Sequence, residues 1–408
     1  MRALVACLGG ALLGACAPTS ASPPEPDREA AWALSERMQE FRHQLIEHTE
    51  AFIAAPDDPM AGGYWNQSVS MVGREDLLYQ NTEDGNQAAY PACADARPDP
   101  LPELLEAAAD TSIVIINEYH ARPNGRLFIL DLAESLKEMG YETYAAEAFS
   151  DGVRDEPDVP PTADDGYFVG EPVFGRLLSS VRGMGYHLVA YEQRYDQMAP
   201  EDAPPDTQID RREAAQAQNL MDAVFVERPS AKVLIHVGHS HVAERPLPYV
   251  EKQSGPDKDG MHWMASRLKA ATGVDPVTIS VTECIAEGDA PVLASAGKRR
   301  DGKLRPVYTD YVVGLPRITL TDGRPDYRRR MGDIETTVPE ALRPAGKPVL
   351  VEARRPGEGD EVTPSDRLYL RPGEVLPLML PAGETFEIRG YDGDGLVAGP
   401  VIVMAGAS

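Results

Sequence analysis

The sequence predicts an α/β fold, a mostly parallel sheet with helices on both faces, followed by a β-rich C-terminal region. Three observations predict it. Apolar runs of strand length alternate with helix-length amphipathic segments between Leu101 and Val281. Four of those runs end in residue types that do chemistry, as expected where the carboxyl edge of a parallel sheet binds ligands. Past Glu283, Pro and Gly become frequent and helical periodicity fades.

Each element follows from local pattern. Glu29 to Ile53 places Trp32, Leu34, Met38, Phe41, Leu45, Ile46 and Phe52 at helical spacing, which predicts one or two amphipathic helices. Ala54 to Pro100 is rich in Gly, Pro, Asn and Asp and reads as a long excursion of loop and short helix. Leu101 to Ala109 is a short helix feeding a strand at Ile113–Asn117. Asn124 to Met139 is a helix with Gly140 at its C-cap, and Thr143–Ala146 is the next strand. Ser150 to Gly170 is loop; Pro172 to Met184 is a helix with proline in its first turn. Gly185-Tyr186 repeats Gly140-Tyr141, and a strand at Leu188–Tyr191 follows. An acidic, Pro-rich loop from Arg194 to Thr207 leads to a helix over Ile209 to Val226. Lys232–Val237 is a strand, Met261 to Ala271 a helix, and Val277–Val281 a fifth strand. Val307–Val313, Val349–Val351, Arg367–Leu370 and Phe386–Gly390 read as short strands, with a turn at Tyr391-Asp392-Gly393-Asp394-Gly395.

The ends and the composition bound the setting. Met1-Arg2 is a short basic start, and Ala3 to Leu13 is apolar but too short for a lasting membrane span. Leu13-Gly14-Ala15-Cys16 resembles a bacterial lipobox, with Cys16 becoming the lipid-bearing first residue; an ordinary secretory leader with a chance cysteine is the plainer alternative. Residues 1–15 are then a lipoprotein signal peptide and 16–28 a disordered tether rich in Pro, Ser, Ala and Thr. Residues 29–343 form the α/β core with its N-terminal helices, and 344–408 the β-rich C-terminal region. The expected location is the bacterial cell envelope, the chain held to the membrane through Cys16 and, in a Gram-negative cell, facing the periplasm from the outer membrane. Cys93 and Cys284 are the other cysteines of the mature chain, and in an oxidising envelope they pair as one disulfide or remain two buried thiols. The formal net charge is −26, and one unit more negative once Arg2 leaves with the leader. A surface this acidic repels nucleic acid and anionic headgroups, so no nucleic-acid partner is expected.

The strand ends carry the candidate chemistry. Glu118 and His120 are two apart and point the same way in extended chain, a carboxylate beside an imidazole as in an acid–base pair or half a metal site. His236, His239 and His241 crowd six residues, with Gly238 allowing a tight turn. They suit either a divalent metal or a catalytic base with an oxyanion donor; His236, inside the strand, is the most structural of the three. Glu147 and Glu192 end apolar runs, where a carboxylate is paired, hydrated or functional, and like charges there raise one pKa. Arg212, Gln216 and Asn219 share a helical face. They line the cleft or face solvent, and Arg212 also suits neutralising the carboxylates. Tyr167 and Glu171 are weaker candidates of the same type. Ser240 lacks the second glycine of a nucleophile elbow. HExxH, P-loop and GxGxxG patterns are absent, which argues against thermolysin-type proteases, P-loop NTPases and standard dinucleotide enzymes.

Ile115-Ile116-Asn117-Glu118-Tyr119-His120, Ala145-Ala146-Glu147, Arg212-Glu213 through Asn219, and His236 through Val242 together resemble the erythromycin-esterase-like, ChaN-like and Tiki superfamily. The likeness covers about Leu101 to Val281, under half of the chain, and Asn117 stands where members usually have Gly. The resemblance implies one of two functions. In the first, a hydrolase acts on a small-molecule or peptide ester or amide, with His120 as general base on water assisted by Glu118 and Glu147; the residues themselves add His239 as a catalytic candidate. A divalent metal, if one takes part, is held by Glu118, His120, His239 and His241. From the residues themselves, and not from the resemblance, Glu192, Arg212, Asn219 and His236 are expected to contact substrate, with Arg212 holding an anionic group. In the second, a ChaN-like lipoprotein binds haem or iron without turnover.

Overall fold

The computed structural model describes residues 28–79, 91–247, 261–298 and 301–406. The expected leader, the expected lipidation site Cys16 and the expected tether as far as Asp27 lie outside the described residues.

Strands β1 (Ile113–Glu118), β2 (Thr143–Ala146), β3 (His187–Ala190), β4 (Val233–Gly238), β5 (Val277–Ser280) and β6 (Tyr311–Pro316) form a parallel core in the order β3-β2-β4-β1-β5-β6. Every pairing in that series is parallel. The five strands read from sequence are present to within a residue at each end. The run at Val307–Val313 starts later, at Tyr311, and extends the core sheet beside β5. Beyond β6 the sheet turns mixed, with Ala92–Ala94 and Ala296–Lys298 at its far edge. There Cys93 and Cys284 are disulfide-bonded with Cα atoms 5.0 Å apart. A Cβ on Gly314 would fall 2.0 Å from Cys93 Sγ, so the bridge lies flat on glycine backbone.

Helices cover both faces because alternate strand residues are apolar on both sides. Val114, Ile116, Tyr144 and Leu234 pack against α2 (Leu101–Ala108), α3 (Gly125–Glu138) and α4 (Pro172–Gly183). Ile113, Ile115, Ala145, Val233 and Ile235 pack against α5 (Pro205–Leu220) and α6 (Met264–Thr272). Gly273 closes α6 in the left-handed region at φ 69°. The helix expected to run on to Val226 instead changes to a π-type turn over Met221–Phe225.

The N-terminal helix α1 (Arg28–Ala54) is single and crosses to the other end of the chain. It covers an antiparallel sheet of β7 (Val349–Arg354), β8 (Asp366–Leu370), β9 (Thr385–Asp392) and β10 (Gly395–Met404), ordered β8-β7-β9-β10. The Asp392–Gly395 turn joins the last two strands, as its sequence predicts. Val351 and Ala353 of β7 face that region's own apolar core, which reaches back to Val338 and Leu342. Leu350 and Glu352, on the other face, meet α1 through Leu45 and Arg42. Among the described residues no helix is long and apolar enough to cross a membrane.

Candidate active site

Parallel register brings the strand ends together. Glu118 is level with Gly238, and Ala146 is level with both His236 and Ala190. Glu118, His120, Glu147, Glu192, His239 and His241 therefore emerge along one edge. Alternation then sends the carboxylates apart. Glu118 shares the side of Ile116 and meets α3; Glu147 continues the side of Ala145 and meets α5.

On the α3 side, Glu118 is 1 % exposed. Its carboxylate accepts from Arg126 Nε at 2.7 Å and from His120 Nδ1 at 2.7 Å, with His236 Nε2 at 3.3 Å. Burial would raise its pKa, but the Arg126 guanidinium, His236 and the His120 hydrogen bond outweigh that and hold it well below the usual carboxylate range. Arg126 also pairs with Glu171, which caps α4 by accepting from Phe174 N at 2.7 Å. The His120 ring stacks on Phe168, with centroids 3.9 Å apart. Its Nε2 has no hydrogen-bond partner among the described residues. A Cβ on Gly238 would stand 3.0 Å from both that nitrogen and Glu147 Oε2, so glycine keeps the space beside them open.

On the α5 side, Arg212 Nη2 donates to Glu147 Oε1 at 2.6 Å, and Arg212 also pairs with Glu192. Burial would raise the Glu147 pKa; His241, Arg212, His120 and the Gly238 N–H bring it down to about 2. His241 lies between Glu147, 3.4 Å from Nε2, and Glu213, 2.7 Å from Nδ1. Burial opposes its charge, but those two carboxylates raise its pKa. His239 is exposed at the rim, edge-on to Tyr119. The protein packed around its ring, then the charges of His241, His120 and Arg305, lower its pKa, which favours the neutral form.

His120, Glu147, Glu192 and Arg212 line a cleft of about 390 Å³ with Tyr167, Phe168 and Asp151. Two candidates sit behind it. His236 is buried, with Nδ1 2.9 Å from the Tyr144 hydroxyl and Nε2 toward Glu118. Asn219 is also buried, and its amide shapes the loop after β3, donating to Glu192 O at 2.9 Å and accepting from Arg194 at 2.9 Å. Like-charge crowding does not raise the pKa of Glu118 or Glu147, because each face supplies its own guanidinium. Arg212 is held between two carboxylates and is not an open anion receptor.

The four candidate ligands do not fit a metal ion. Glu118 is already surrounded by Arg126 and two imidazoles, and Arg212 Nη1 stands 3.2 Å from His241 Nε2, where a ligated cation would lie. Among the described residues no group of three or more His, Cys, Asp or Glu is disposed to hold a metal.

Sequence reasoning missed Arg126 and Phe168. One signal for Arg126 was available. A basic residue in the first turn of a helix opposes the helix dipole and calls for a nearby carboxylate.

No protein-family model matches the chain, and no curated protein matches it. Solved structures with slight likeness include one described as bacterial protein toxins (TM-score 0.32, 12 % identity, 67 % of this chain and 48 % of that one). Others are the type III effector HopBA1 (TM-score 0.30, 14 % identity, 55 % of this chain and 98 % of that one) and RRSP, a MARTX toxin effector domain from Vibrio vulnificus CMCP6 (0.30, 14 %, 67 % and 47 %). The chain spans about half the length of the first of these. Likeness this slight carries no argument about fold or activity.

Proposed function

We propose that this chain is a lipid-anchored envelope hydrolase in which His120 activates water for attack on an ester or amide carbonyl. One observation carries the reading. The His120 ring has Nδ1 tied to Glu118 at 2.7 Å and Nε2 left without a partner beside an open cleft. An imidazole held in that way is a general base of fixed tautomer.

The roles follow from charge. Nε2 takes a proton from water as the oxygen attacks the carbonyl carbon. Glu118 stays ionised through its pairing with Arg126 and balances the imidazolium that forms. The imidazolium then returns the proton to the leaving oxygen or nitrogen. With Glu118 and Glu147 both held ionised, neither serves as the acid. The neutral His239 at the rim donates toward the developing oxyanion. Glu147 and Glu192 fix Arg212 as one wall of the cleft. The disulfide between Cys93 and Cys284 supports an oxidising compartment, in keeping with an envelope location and a lipid on Cys16.

The test is hydrolysis of ester and amide panels by the purified protein. Turnover lost in His120→Ala and reduced in His239→Ala supports the reading. Turnover unchanged in His120→Ala, or none on any panel, overturns it. A Soret band on titration with haem would favour the binding function instead.

A further inference from the structure

The short turn Tyr167–Gly170 supplies the site with Phe168, which stacks on His120, and leads into Glu171, which holds Arg126. The C-terminal region grips that turn by two successive carbonyls. Thr363 Oγ1 donates to Val169 O at 2.9 Å. Arg367 of β8, 1 % exposed, donates from Nη1 to Gly170 O at 2.7 Å. Glu352 of β7 aligns the guanidinium, accepting from its Nε at 2.8 Å. From the other side Phe41 of α1 packs edge-on to Tyr167, with ring centroids 5.7 Å apart. A Cβ on Gly170 would come within 2.9 Å of Phe41, so the turn is seated flush against that ring.

We infer that the C-terminal sheet is a positioning element of the active site: Arg367 and Thr363 hold the Tyr167–Gly170 turn and thereby keep Phe168 on the His120 ring and Glu171 on Arg126. Both are positioning residues, acting on the base through the turn. A buried guanidinium bonded to a backbone carbonyl is a stiff tie, because its charge has no solvent to return to. The apolar core under β7 gives that tie a rigid base. The inference rests on reading His120 as the site's base.

The stacked ring supplies the readout. Phe168 shields the His120 Cε1 proton by its ring current, so this resonance reports the turn. Full-chain protein with ¹³C-labelled histidine is used; His120→Gln identifies the resonance and Phe168→Leu defines its unshielded position. Arg367→Met, and to a smaller degree Thr363→Val, should move the resonance toward that position. Arg74→Met is the control. Arg74 is equally buried and donates to β8 at Tyr369 O, 3.1 Å away, but pairs with Asp76 and Glu374. It should leave the resonance in place. Where circular dichroism finds Arg367→Met unfolded, Arg367→Lys, which keeps charge but loses the fork, takes its place. A resonance unmoved in folded Arg367→Met or Arg367→Lys overturns the inference, as does an equal displacement in Arg74→Met. The measurement needs no substrate, so its failure leaves the hydrolytic reading standing. Failure of every ester and amide assay likewise leaves this test intact.

Discussion

The sheet edge around Glu118 and the seam beneath the C-terminal sheet bury the same two side chains, arginine and carboxylate, in different company. In the seam, Glu352 meets Arg42, Arg354 and Arg367, while Asp366 meets Arg324 and Arg328. Every one of these groups is at most 4 % exposed. At the edge, Glu118 meets Arg126, and Glu147 meets Arg212, but His120 and His241 complete the clusters. Burial would raise the Glu352 pKa, but Arg354, Arg42 and Arg367 hold it well below the usual carboxylate range, so it moves no proton near neutrality. An imidazole with one nitrogen tied and the other open does move protons there. The difference teaches that buried charge alone does not mark a catalytic site. What marks the proposed site here is an incompletely bonded imidazole at the border of such a network.

The comparison can be broken by activity and stability measured on the same variants. The largest expected effect is on the edge: His120→Ala should lower kcat/KM by roughly 10² to 10⁴ while leaving the urea midpoint near wild type. Equal loss of folding would make His120 a structural residue like those of the seam. Next is Glu352→Ala, which removes the carboxylate shared by three buried arginines and should cost about 3–5 kcal/mol by urea denaturation. A neutral result there would mean that the seam is hydrated.

Titration sharpens the contrast further. Glu75 is buried between the regions, bonded to the Tyr327 hydroxyl at 2.7 Å. Burial, opposed by Arg324 and Tyr327, raises its pKa from 4.5 to about 7. As pH rises from 4.5 to 7 the unfolded chain ionises there before the folded one, so stability falls by roughly 3 kcal/mol. Glu75→Gln should remove that slope and stabilise the protein at pH 8. Glu147 has the opposite sign. Its folded pKa of about 2 lies below 4.5, so it contributes stability above pH 4.5 that is lost as pH falls toward 2. Glu147→Gln should flatten the acid limb of the urea midpoint plotted against pH. Slopes of the same sign would contradict the assigned partners. The smallest effect belongs to His187→Ala. Its pair with Asp155 is half exposed, so stability should change by less than ~0.5 kcal/mol and activity not at all. A measurable loss of turnover there would extend the site to the wrong end of β3.

Legibility in the sequence followed the range of each signal. The strands were readable because buried parallel strands are short apolar runs, and Gly140 and Gly185 punctuate them where helices end. Glu118, His120, Glu147 and Glu192 were readable because they sit where those runs stop. Phe168 was not, since its turn gives no hint of what lies across the gap, and the first-turn charge of Arg126 called for a carboxylate without saying which one. In sequence Arg367 marks only the start of a C-terminal strand, because its contact with Gly170 spans 197 residues of chain.

By itself the sequence determined the layers and the edge on which the polar residues gather, because alternation and periodicity are properties of neighbours along the chain. Only the tertiary structure decided which carboxylate met which arginine, and which imidazole kept a nitrogen free. Those outcomes depend on the side of the sheet each residue faces and on helices that cross there from distant parts of the chain.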